Sequence, residues 1–156
     1  MKKLDLHIHT KKTDSDSPFE FSLDKLKEYV EEMDIDGIAI VNHNTFDLKQ
    51  FYEIQDALSD LCVVLPGIEI NIGIMGFGHI VCIADVDDVQ AFDRKCQLVE
   101  AKVTNKTEKI TPDELKSIFP DMNNYLWIPH CGKDPTVEKN VLKALEEYIW
   151  CGEVGS

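Results

Sequence analysis

The five histidines of this 156-residue sequence are the residues that point most directly to chemistry. His7 and His9 form a His-x-His pair behind a short apolar run. Residues i and i+2 of a β-strand point to the same side, so both imidazoles can reach one ion. Imidazole nitrogen is a good ligand for zinc and other transition metals. The pair therefore predicts a transition-metal site near the start of the chain.

The remaining histidines, His43, His79 and His130, stand at or close to the ends of predicted strands. His79 fits this pattern least well, because it lies near the start of its strand. In a parallel α/β barrel the carboxyl ends of the strands meet at one rim, where chemistry is usually located. We therefore expect separate parts of the chain to deliver imidazoles to a single site.

Acidic and basic side chains accompany the histidines. Glu69 ends a predicted strand and is a candidate metal ligand, since a carboxylate can bridge two metals where one imidazole cannot. Asp14 and Asp16 lie in the loop after His9, in a segment that on its own is typical of a turn. Lys11 and Lys133 lie in loops beside the histidine segments. Both are candidates for contacts to a phosphate group, although an exposed lysine is ordinary on a protein surface.

Short apolar runs alternate with amphipathic segments along the chain. The runs are mostly continuous, which is typical of buried parallel strands. The order predicts one α/β domain over residues 1–156, with a parallel sheet that is open or closed as a barrel. The predicted strands are residues 3–8, 37–41, 62–68, 78–84, 125–128 and 149–154. Helices are predicted after Ser22, after Thr45, near residues 89–103, after the capping box at Thr111, and from Asp134-Pro135.

Composition limits the class of protein. Hydrophobic residues make up 44% and charged residues 29% of the sequence, which suits a folded domain. The net charge of −13 disfavours general binding to nucleic acid or anionic membranes. An enzyme that acts on a phosphate group is still compatible, because bound divalent cations reverse the local field. Five cysteines without Cys-x-x-Cys, and a start unlike a signal peptide, predict a cytoplasmic protein without a disulfide framework.

Four short motifs together resemble the PHP family (polymerase and histidinol phosphatase). They are collinear, cover nearly the whole chain and use every histidine. The first motif is the most specific, and the four motifs together are stronger evidence than any one of them. The matching segments are residues 5–10 with Asp14, residues 41–45, residues 66–69 with 78–80, and residues 128–130.

The resemblance implies a distorted, TIM-like barrel of seven strand–helix units with metals at its carboxyl rim. One to three ions of zinc, manganese or iron are expected there. The implied ligands are His7, His9 and Glu69 for the first metal, Glu69, His79 and His130 for the second, and Asp14 with His43 for the third.

Two departures from the family pattern affect these expectations. Asn42 stands where the family has an aspartate before the second-motif histidine. The family also ends with an Asp-x-His motif, and none follows His130 in this sequence. We therefore expect a barrel that is incomplete at the C-terminus, a weakly held third metal, and self-association through an exposed strand edge or a fused C-terminal domain.

The resemblance implies a metal-dependent phosphoesterase in which Glu69, His7 and His9 carry catalysis through the metals that they hold. Clustered cations would activate a water and stabilise charge on a phosphate-ester substrate. An amidohydrolase also opens with His-x-His, but such enzymes commonly add a bridging lysine at a central strand end, and we see none in the sequence. A third reading is non-enzymatic: a PHP-type module of a polymerase- or ATPase-fused protein, with an incomplete or regulatory metal site.

Overall fold

Six strands form one curled half-barrel sheet in the computed structural model, which describes residues 1–155. The chain therefore has an α/β fold, and the seven-unit barrel is not seen in this range. The strands follow chain order across the sheet. They are β1 (Leu4–Ile8), β2 (Gly37–Ile40), β3 (Val63–Ile72), β4 (Gly78–Ile83), β5 (Leu126–Gly132) and β6 (Glu153–Val154).

The direction of β4 corrects the prediction of a parallel sheet. Strands β1 to β3 are parallel, as are β5 and β6, but β4 is antiparallel to both β3 and β5. A short connection joins β3 to β4, and only an antiparallel pair can be linked without a crossover. Pairing with β4 also extends β3 to Ile72, so Glu69 lies inside its strand and not at the end.

Five α-helices accompany the sheet, and three predicted helix positions are confirmed. Ser22 caps α1, α3 occupies the predicted central segment, and Thr111 forms a complete capping box on α4. Among residues 1–155, no helix is both long and apolar enough to cross a membrane. The helices are α1 (Leu23–Glu32), α2 (Leu48–Ala57), α3 (Val89–Lys102), α4 (Pro112–Ile118) and α5 (Lys139–Leu145), with 3-10 turns at Val86–Asp88, Met122–Asn124 and Glu146–Tyr148.

Two helix starts were predicted wrongly. Asp47, and not Thr45, caps α2, because the Asp47 side chain accepts from the backbone N–H of Gln50. The last helix begins at Lys139 and not at Asp134-Pro135. The intervening residues pack on the sheet instead, where His79 N–H donates to the Pro135 carbonyl.

Apolar side chains cover both faces of the sheet. The larger cluster lies between sheet and helices and includes Trp127, Phe92 and Phe119. A smaller cluster lies on the opposite face, where Val41 and Val81 are fully or almost fully buried. Because both faces are apolar, the strands read as continuous hydrophobic runs. All five cysteines lie within the described residues and are free, as predicted.

Candidate metal centre

One buried carboxylate contacts all five histidines. Glu69 is 1% exposed and lies in β3. Its two oxygens face different imidazoles. Oε1 is 2.8 Å from His79 Nδ1 and 3.1 Å from His130 Nε2, whereas Oε2 is 3.0 Å from His9 Nε2, 3.1 Å from His43 Nδ1 and 3.3 Å from His7 Nε2.

The antiparallel direction of β4 explains the position of His79. His79 is the second residue of β4 and pairs with Asn71 near the carboxyl end of β3. Because β4 runs backwards, its start lies at the same rim as the ends of β1, β2 and β3. The end of the next strand, β5, returns to that rim and brings His130 with it.

A backbone clamp fixes His43 against β3. The next residue, Asn44, has a left-handed backbone (φ 54°), which asparagine tolerates better than most residues. Its N–H donates to the Glu69 carbonyl over 2.7 Å, and its side-chain oxygen accepts from the Asn71 N–H over 2.8 Å. The imidazole of His43 is therefore held beside the Glu69 carboxylate.

The His-x-His pair directs one nitrogen of each imidazole ring at the same point. His7 Nε2 and His9 Nε2 are 2.9 Å apart. The opposite nitrogen of each ring meets a carboxylate: His7 Nδ1 is 2.7 Å from Glu153 Oε2, and His9 Nδ1 is 2.8 Å from Asp16 Oδ1. An ionised carboxylate only accepts, so each Nδ1 donates its proton to its carboxylate partner. The Nε2 atoms of His7 and His9 lie 3.3 and 3.0 Å from Glu69 Oε2. The two Nε2 atoms and Glu69 Oε2 form a set that could hold a metal ion.

Buried polar atoms without a hydrogen-bond partner also indicate a metal site. His43 Nδ1, Glu69 Oε2 and both ring nitrogens of His130 are buried and find no hydrogen-bond partner among residues 1–155. Leaving such a group unsatisfied costs about 1–3 kcal/mol. These donors are the types that zinc, manganese and iron accept, so the residues fit a metal centre. Four groups of three could each hold an ion: His7, His9 and Glu69; His7, His130 and Glu153; His9, Asp16 and His43; and His43, Glu69 and His79.

The charge states also suit metal binding. Burial opposes ionisation of Glu69, but the imidazoles of His130 and His7 hold its pKa far below the usual range. Burial lowers the pKa of His43 to about 4, partly opposed by the charge of Glu69. At neutral pH, Glu69 is therefore an anion and His43 a neutral imidazole with a free lone pair.

The fold has a solved counterpart. No family model and no curated protein matches this sequence. A crystal structure from Bifidobacterium adolescentis, provisionally named a metal-dependent phosphoesterase, aligns with a TM-score of 0.62 and 14% sequence identity, covering 97% of this chain and 77% of that one. At this identity the likeness shows the fold alone.

The structure brings together all the predicted histidines and Glu69 but not Asp14. Asp16, two residues later, contacts His9 and lies 3.7 Å from His43 Nε2. The Thr13 N–H and hydroxyl both donate to Asp16 Oδ2 and orient its other oxygen towards the histidines. Asp14 instead lines a cavity of about 430 Å³ beside His43. Both aspartates are in one loop, and sequence spacing could not distinguish them.

The two predicted phosphate-binding lysines lie in different surroundings. Lys11 lines the cavity beside His43 and is 3.5 Å from Asp47 Oδ2. Lys133 Nζ is 2.6 Å from Glu153 Oε1, so its charge faces a carboxylate. Glu153 was missed from the sequence, because its approach to the site depends on how β6 pairs with β5.

Asn42, the departure from the family pattern, holds the loop after β1. Its Oδ1 accepts from the N–H groups of Thr10 and Lys11, each at 2.8 Å, and its Nδ2 donates to the Thr10 hydroxyl. Asn42 is buried and has three defined partners. Its amide therefore fixes the loop that carries Asp14 and Asp16.

Proposed function

We propose that this protein is a PHP-type, metal-dependent phosphoesterase that hydrolyses a phosphate ester at the cluster around Glu69. The observation that carries the proposal is the convergence of five imidazoles on one buried carboxylate, with ring nitrogens that face one another. The fold likeness to a structure provisionally named a metal-dependent phosphoesterase supports it.

Glu69 is the shared ligand of the proposed centre. Its Oε2 would join His7 and His9 at a first position, and its Oε1 would join His79 and His130 at a second. A third position would use His43 with Asp16, in place of the Asp14 expected from sequence. We expect zinc, manganese or iron, with the first two positions filled before the third.

Divalent ions held in this way supply positive charge that activates water and polarises a phosphoryl group. The residues of the chain hold and orient that charge. Glu69 is ionised well below neutral pH and therefore acts as a permanent anion, not as a proton donor. Val81 of the smaller apolar cluster pairs with Glu69 across β3 and β4, so buried apolar residues adjoin the proposed centre.

The cavity beside His43 is the proposed place for the rest of the substrate. It measures about 430 Å³, and polar side chains including Lys11, Asp14 and Thr104 line it. A cavity of this size suits a small organic leaving group. Lys11 is the proposed contact for a substrate oxygen, and Lys133 is a weaker candidate because it already binds Glu153.

Metal analysis and a phosphatase assay test the proposal together. Untagged protein should contain zinc, manganese or iron, or take up one of them, and should hydrolyse p-nitrophenyl phosphate only when loaded. Failure to bind any of these metals would refute the metal centre. Metal binding without hydrolysis of any phosphate ester would refute the enzyme and favour the non-enzymatic module.

A further inference from the structure

Glu153 reaches the metal centre from the last strand. Its Oε2 lies 2.7 Å from His7 Nδ1 and 3.3 Å from His130 Nε2. Its other oxygen, Oε1, lies 2.6 Å from Lys133 Nζ. The carboxylate is therefore held at both ends, by a cation on one side and by an imidazole edge on the other.

Strand pairing and a glycine make this approach possible. Glu153 pairs with His130 across β5 and β6. A Cβ added to the preceding residue, Gly152, would lie 2.6 Å from Cys131 Sγ, closer than real contacts allow. The segments around Gly152 and Cys131 therefore lie close together where β6 pairs with β5.

The contact between Glu153 and His7 Nδ1 affects the protonation of the other ring nitrogen, Nε2. A neutral imidazole carries one proton, and the hydrogen bond at one nitrogen sets the state of the other. In the neutral ring, a proton on Nδ1 that is shared with Glu153 leaves a lone pair on Nε2, which a metal ion could use. Asp16 Oδ1 contacts His9 Nδ1 in the same way, over 2.8 Å. Metal-binding histidines in general have such a carboxylate partner.

We propose that Glu153 is a positioning residue that fixes the tautomer and orientation of His7, with Lys133 fixing Glu153. This inference deepens the proposed function and rests on the metal centre described there. Glu153 acts through His7, because its oxygen lies at the ring nitrogen that faces away from Glu69 Oε2. The same oxygen also lies 3.3 Å from His130 Nε2, between two imidazoles.

Nitrogen NMR of the metal-free protein tests the tautomer directly. With ¹⁵N-labelled histidine, we expect His7 to carry its proton on Nδ1 in the wild type and in Glu153→Gln, because the amide oxygen also accepts. Glu153→Ala should shift His7 towards the other tautomer. An unchanged His7 tautomer in Glu153→Ala would overturn the proposal, whether or not the protein binds metal.

Zinc affinity, measured by competition with a chromogenic chelator, tests the consequence. Loss of such a carboxylate partner typically weakens metal binding by about 10–100-fold, and we expect Glu153→Ala to fall in that range. Glu153→Gln should lose less than about tenfold, and Lys133→Met less than Glu153→Ala. Glu146→Ala, which removes an exposed glutamate seven residues earlier in the sequence, is the charge-matched control and should bind like the wild type.

The outcomes separate this inference from the proposed function. A wild type that binds none of zinc, manganese and iron would refute the metal centre, and the NMR result would still decide the role of Glu153. A wild type that binds zinc, with Glu153→Ala binding equally well, would refute the positioning role alone. If Glu153→Ala does not fold, Glu153→Met keeps the length of the side chain without a carboxylate acceptor and should shift the His7 tautomer in the same way; an unchanged tautomer in that variant would overturn the proposal.

Discussion

The two sides of the candidate metal centre satisfy their imidazole nitrogens differently. On the outer side, formed by His7 and His9, the side chains are 18% and 20% exposed and each Nδ1 has a carboxylate partner. On the inner side, formed by His79 and His130, they are 8% and 1% exposed. Both ring nitrogens of His130 are without a hydrogen-bond partner in the described part of the chain.

This difference indicates separate roles for the two sides. The outer rings are fixed by carboxylates and reachable from solvent, so a proton can replace a metal there. The inner rings are fixed by packing, and desolvation makes an unfilled arrangement more costly. We therefore expect the inner side to bind its ion more tightly and the outer side to exchange its ion more readily.

Removing the residue that joins the two sides should have the largest effect. Glu69→Gln keeps the shape of the side chain but removes the charge that both positions share. We expect loss of both ions and a decrease in the hydrolysis rate of ~100-fold or more. Even a side chain that only orients a metal ligand contributes about 10–100-fold to metal affinity or activity, and Glu69 is a direct ligand in the proposed centre. Elemental analysis and a p-nitrophenyl phosphate assay measure both. A variant that keeps two ions would show that Glu69 does not bridge.

Removing one histidine from each side tests the order of affinity. His130→Ala should abolish the tighter of two binding steps in a calorimetric zinc titration, whereas His7→Ala should abolish the weaker step and keep the tighter one. The expected loss of zinc affinity at the affected step exceeds about 100-fold, because a direct ligand is removed. If His7→Ala removed the tighter step, the assignment of the two sides would be reversed.

The pH dependence of the metal-free protein probes the outer side alone. Burial lowers the pKa of His9, but hydrogen bonds with Glu69 and Asp16 outweigh it and raise the pKa above its usual value. Because the pKa of His9 is higher in the folded than in the unfolded protein, protonation of His9 stabilises the fold. This contribution is fully present below the unfolded pKa of about 6.5 and is lost as the pH rises through the folded pKa. Urea unfolding with chelator present should show His9→Gln to be more destabilising at pH 5.5 than at pH 8.5. An equal effect at both pH values would contradict this assignment.

The smallest effect distinguishes the two aspartates of the β1 loop. Asp16→Ala removes the partner of His9 Nδ1 and should weaken zinc binding by about 10–100-fold. Asp14→Ala, the matched control two residues away, should change zinc affinity by less than about threefold, because it only lines the cavity. A larger loss in Asp14→Ala would restore the ligand set implied by the sequence resemblance.

Local signals made much of the fold predictable. Continuous apolar runs indicated the strands, and Ser22 and Thr111 marked helix starts that the structure confirms. The direction of β4 was not predictable from hydrophobicity, because a strand that is buried on both faces reads the same in either direction. That direction is what places His79 at the rim.

Within the candidate site, residue type and order pointed to the histidines and Glu69. Their grouping around two separate oxygens depends on strand register and could not be read from spacing. Asp16 was missed because the orientation of a loop carboxylate is set by its own hydrogen bonds, here from Thr13. Glu153 was missed because its contact with His7 links residues 146 positions apart.

Anomalous diffraction from crystals grown with zinc or manganese tests the central claim most directly. We predict two ions on opposite sides of Glu69, one bound by Oε1 with His79 and His130, the other by Oε2 with His7 and His9. Anomalous peaks only at surface groups, with Glu69 bound to no ion, would contradict the account.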